Sequence, residues 1–131
     1  MTALCIIGSG MVSAVGLSAP ASCAAIRCAI DNFQETRFID QAGEWLVGAP
    51  VILPEPSSGY AQLVGMASMA IAECLSGLSD EDVHDIPLLL GVAESDRPGR
   101  LERLDESLLR AIEERLGQRF HERSCVIPRA G

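Results

Sequence analysis

A chain of 131 residues that is 48% apolar carries enough hydrophobic side chains for one packed core, which excludes a disordered chain. Its 10 basic residues are all arginine and face 18 carboxylates, a formal charge of -8 that starts any approach to nucleic acid from repulsion, while the lack of lysine excludes Schiff-base chemistry. No apolar run nears the roughly 20 residues that cross a bilayer, and the start lacks the basic residues of a secretory signal, so a soluble cytoplasmic protein with no membrane partner is expected.

The first apolar run, Leu4-Cys5-Ile6-Ile7, is closed by Gly8-Ser9-Gly10 and predicts a buried strand entering a tight turn. Ser18-Ala19-Pro20 then offers a cap residue and an early proline, and residues 21–30 carry small apolar side chains at helical spacing. Residues 33–56 read as an irregular excursion with a minor hairpin: Phe38-Ile39 and residues 44–52 suit short strands, interrupted by Pro50, Pro54 and Pro56.

A helix over residues 60–78 follows, apolar on most faces, with Leu63, Ala67, Ala70, Ile71, Cys74 and Leu75 three and four apart. Residues 80–85 read as an acidic connection, and residues 86–93 as a strand buried on both faces. Leu101, Leu104, Leu108, Leu109, Ile112 and Leu116 form one stripe of a third helix whose charged side faces solvent, with Gly117 as its terminator. Residues 124–127 form a last short strand stopped by Pro128. This order predicts an α/β fold with a mostly parallel sheet flanked by helices, in one domain spanning residues 1–131.

Side chains that carry chemistry are sparse. The 5 cysteines, Cys5, Cys23, Cys28, Cys74 and Cys125, show no Cys-x-x-Cys pair and read as small hydrophobes, so neither disulfides nor a metal site are expected. His84 and His121 lie far apart in apparent loops and read as surface or capping residues. Gly8-Ser9-Gly10 lacks the third glycine of a nucleotide fingerprint at the proper offset, and Ser9 and Ser13 lack a Gly-x-Ser-x-Gly elbow; all read as turn residues. Met66 and Met69 read as core filling.

Three segments in order, the stretch from Leu4 through Gly8-Ser9-Gly10 and Ser13 to Gly16, the Ala-rich residues 63–78, and residues 87–93, resemble the N-terminal portion of β-ketoacyl synthases and their thiolase-fold relatives. The resemblance implies the first repeat of a layered αβαβα fold, in a family of acyltransferases that condense acyl thioesters in fatty acid or polyketide synthesis. It places residues 124–127 at the strand leading to the nucleophilic cysteine. Here Pro128-Arg129-Ala130-Gly131 follow, with no cysteine at the turn, and Cys125 sits inside the strand.

No catalytic residue, cofactor or metal is therefore expected. The function expected is non-catalytic protein–protein assembly, with a protein partner, copies of the same chain, or a second thiolase-like chain. The resemblance implies that subunits pair through this same strand, which makes Ser124, Cys125, Val126 and Ile127 the candidate assembly edge. Two alternatives stand beside it: a fragment or split subunit of a 3-oxoacyl synthase whose partner supplies the nucleophile, and an adaptor of a bacterial secretion or assembly system.

Overall fold

A computed structural model describes Ala3 and residues 5–128. Helix α1 (Ala19–Arg27) begins where Ser18, in extended conformation, accepts the N–H of Ala21 on its hydroxyl at 3.3 Å, with Pro20 in the first turn. Strands β1 (Gln34–Ile39) and β2 (Trp45–Gly48) form an antiparallel hairpin inside the irregular excursion, in register from Gln34↔Gly48 to Ile39↔Trp45 with an irregularity after Glu35. Helix α2 (Gly59–Cys74) stops short of the expected end at Leu78.

The acidic connection is not a loop. Ser79 and Asp82 cap each other reciprocally and wind the one-turn helix α3 (Asp80–His84), so His84 ends a helix instead of lying in a coil. Strand β3 (Leu89–Val92) follows, and helix α4 (Glu106–Leu116) starts later than the leucine stripe suggested. Arg103 takes a left-handed φ of 64°, which a helix cannot continue, and Asp105 then caps the helix by accepting the N–H of Ser107 at 2.8 Å. Gly117 closes α4 with φ 68°, and strand β4 (Cys125–Pro128) runs parallel to β3 from Leu89↔Cys125 to Val92↔Pro128. The unit β3–α4–β4 is thus a parallel pair joined by a helical crossover.

The Asp105 cap has a pH signature. The Ser107 N–H held against it lowers the Asp105 carboxyl below the ordinary aspartate range. A depressed folded value means that the stabilisation is complete above the ordinary range and is lost as pH falls through the folded value. Helical circular dichroism during acid titration should therefore decline, and Asp105→Asn, which keeps the acceptor and loses the charge, should flatten that decline.

The core joins Val64 of α2 to Val92 of β3 and to Leu104, Leu108 and Ile112 along the α4 stripe, with Leu90 and Val126 packed against them. Ile112 is wholly buried. Helix α4 packs on both α2 and β4.

The expected mostly parallel sheet flanked by helices is contradicted. Among the described residues, parallel pairing stops at two strands, and the antiparallel hairpin is a separate two-stranded sheet. Residues 5–7 form no strand, and Ile6 and Ile7 are 93% and 81% exposed; Leu4 lies outside the described residues. The reason lies in the two glycines that follow. A Cβ at Gly10 would overlap the carbonyl oxygen of Ala70, and one at Gly8 that of Cys74, so this segment lies backbone to backbone on α2 instead of on a strand edge.

Glu73 completes the attachment, accepting the N–H of Met11 at 3.0 Å and that of Ala19, the first residue of α1, at 2.9 Å. A carboxylate there also complements the positive end of the helix dipole. None of the helices among the described residues is long and apolar enough to cross a membrane.

Candidate assembly surface

Strand β4 is placed by the turn that enters it. Gly117 lets the chain leave α4, and Glu113, although buried, has both carboxylate oxygens engaged: one accepts the N–H of Phe120 at 3.1 Å and the other meets Arg119 at 3.1 Å. Arg119 is 76% exposed, so solvent screens that ion pair and the bond to Phe120 is the firmer anchor. His121 then donates its N–H to Ile86 at 3.1 Å, and the Ser124 hydroxyl accepts the N–H of Leu88 at 2.9 Å while donating to the His121 carbonyl. Cys125 donates to Leu88 at 3.0 Å, and the ladder begins. Ser124 is therefore a side-chain bridge at the strand's entrance, while Cys125, Val126 and Ile127 lie within the strand together with Pro128, which the sequence placed as its stop.

Strand alternation sorts these side chains into two faces. Leu90, Val92 and Val126 point into the core between the helices. The opposite face carries Leu89, 59% exposed, and Ile127, 42% exposed, with Gly91 paired to Ile127 and Cys125 paired to Leu89. Parallel strands are ordinarily buried on both faces, and their sequences are apolar throughout for that reason. Here, among the described residues, one face is covered, while Leu89, Gly91 and Ile127 on the other are exposed.

Among the described residues, no strand pairs with the outer edge of β4. Because the Cys125 N–H points to β3, alternation turns the N–H and carbonyl of Val126 away from it, toward a side where no strand lies among the described residues. The strand Cys125-Val126-Ile127-Pro128 holds no charged residue of the kind that guards natural edges; its proline lies at the last position.

Two concavities flank this unit. Beside β3, Leu63, Ala67, Leu90, Leu101 and Leu108 line an apolar groove of about 410 Å³, at which Arg100 is braced by bonds to the carbonyls of Ala93 and Leu104. On the other flank His84 and His121, which are 37 residues apart (121 − 84), line one open polar cleft of about 700 Å³ with Asp85, Arg110, Glu113 and Arg119. No local pattern signals this, because the parallel pairing of β3 with β4 and the bond from His121 to Ile86 bring the end of α3 next to the turn after α4.

The cleft does not assemble a metal centre: among the described residues no group of three or more His, Cys, Asp and Glu side chains is placed to hold an ion. Ser13 is engaged structurally, its hydroxyl 2.8 Å from that of the fully buried Ser22, and Ser9 is exposed. No protein-family model, curated protein or solved structure matches this chain.

Proposed function

We propose that this chain is a non-catalytic assembly domain that pairs with a second copy of itself through β4. The observation that supports this most is the outer edge of β4, which is uncharged and meets no second strand among the described residues, beside the exposed Leu89 and Ile127. A second copy suits that edge because a two-fold axis beside Val126 sets two identical β4 strands antiparallel, each supplying the other's missing backbone partners. One self-complementary strand is sufficient. The resemblance to condensing synthases adds support at the same residues, since it places residues 124–127 at a subunit-pairing strand.

The net charge of -8 acts against this association at long range, whereas β4 itself is neutral. Added salt, which screens exposed charges beyond about 10 Å at 0.1 M, should therefore tighten the dimer. Light scattering on the purified chain should give twice the chain mass, shifting to monomer on dilution more readily at low salt. A monomer at all concentrations that binds no apolar dye would refute the proposal, and a monomer that forms a stoichiometric complex with a different protein would replace the second copy as occupant.

A further inference from the structure

Helix α1 and the last turn of α2 enclose a cleft of about 400 Å³, and two of the five cysteines, Cys23 and Cys74, line it together. Their shared lining of this cleft follows from the Glu73 clasp. Glu73 fixes the N–H of Ala19 at 2.9 Å; Cys23 lies four residues after Ala19 and so on the same face of α1, while Cys74 adjoins Glu73. Gly8 borders the same cleft, and even a Cβ there would stand 3.7 Å from the Cys74 sulfur, so the lack of a side chain keeps the space around the thiol open. Cys23 is exposed and Cys74 half-buried, and Cys5, Cys28 and Cys125 are not among the residues that line this cleft.

We propose that Cys23 and Cys74 form a dithiol site that low-molecular-weight disulfides oxidise, stapling α1 to α2. The Cys23 thiolate attacks one sulfur of the small disulfide, forming a mixed disulfide and releasing one small thiolate. The Cys74 thiolate then attacks the Cys23 sulfur, forming the Cys23–Cys74 bond and releasing the second small thiolate. The two protons lost by the protein thiols pass to the two released thiolates. The protein loses two hydrogens, and the small disulfide is reduced to two thiols. The accessible thiol receives the oxidant and the sheltered one resolves it.

The test uses the chain carrying Cys5→Ser, Cys28→Ser and Cys125→Ala, which leaves only this pair. Oxidised glutathione under native conditions should lower the mass by two hydrogens, leave no free thiol and retain no glutathione. Cys74→Ser in that background should instead hold one glutathione. A second, reducing-state measurement on the same protein is one equivalent of phenylarsine oxide bound by two thiols at one arsenic, absent in Cys74→Ser. Unchanged helical circular dichroism in each variant would show that the fold is intact. Two glutathione adducts on the paired protein, or the same disulfide yield in urea as in the folded chain, would overturn the proposal.

Discussion

Replacing Ile127 with arginine is expected to weaken the dimer while leaving the monomer folded. Ile127 is 42% exposed and lies on the face opposite the core, so the isolated fold should lose no more than about 0.5 kcal/mol, as for ordinary surface changes. In the dimer the same side chain gains a cross-strand neighbour on the second copy's β4, and such pairs contribute about 0.2 to 1 kcal/mol each. The two-fold repeats the loss in both copies and sets two guanidinium groups diagonally across the seam. A combined effect of about 1.4 kcal/mol corresponds to a dissociation constant raised about tenfold. Light scattering over a dilution series reads this directly. If Ile127→Arg associated as the parent chain does, the contact would lie elsewhere.

Gly10→Val should have the largest effect on the fold itself. A Cβ at Gly10 would overlap the Ala70 carbonyl oxygen and lie 2.8 Å from the Ala70 carbonyl carbon and 3.0 Å from the Cys74 nitrogen. All three are backbone atoms of a helix, so they cannot turn aside as a side chain would. The segment must lift from α2, and the bond from Met11 to Glu73 at 3.0 Å is lost with it. Overpacking of this kind costs about 3 kcal/mol. Urea denaturation should show that fall in the midpoint, whereas Ser9→Ala, at the exposed position next to it, should change stability by no more than about 0.5 kcal/mol. A Gly10→Val protein with the parent midpoint would mean that residues 8–10 do not rest on α2.

These two sites mark where the sequence was readable and where it was not. The leucine stripe of α4, its Gly117 terminator and the apolar strands on either side are local patterns, and the structure contains a helix and a parallel pair at those places. The hairpin falls within the excursion, ahead of Pro50, Pro54 and Pro56. The start of α4 differs from the pattern because Leu101 and Leu104 continue the periodicity while Arg103 and Asp105 stop the backbone. Helix α3 has the acidic composition of a solvated loop, and Ser79 and Asp82 at capping-box spacing are its sequence signal.

The wider sheet failed for a different reason. An apolar run announces burial, not the identity of its neighbour, and residues 5–7 look like a strand whether or not an edge is there to receive them. Gly8 and Gly10 were legible as turn glycines, but their role in close approach to a helix depends on α2 residues some 60 positions away along the chain (70 − 10). That His84 and His121 line one cleft, and Cys23 and Cys74 another, likewise depends on tertiary contacts that spacing does not encode. Residue pattern and resemblance point to residues 124–127 as the assembly edge; the structure adds the direction in which the Val126 backbone groups face, away from β3.

Those backbone groups offer the most direct measurement. If β4 strands pair across a two-fold, the outward Val126 amide is hydrogen-bonded in the dimer and open to water in the monomer. Its hydrogen exchange should slow markedly as protein concentration rises, while the amide of Cys125, already bonded to Leu88 at 3.0 Å, should change far less. A Val126 amide that exchanges at one fast rate from dilute to concentrated solution would contradict the assembly of this chain through β4.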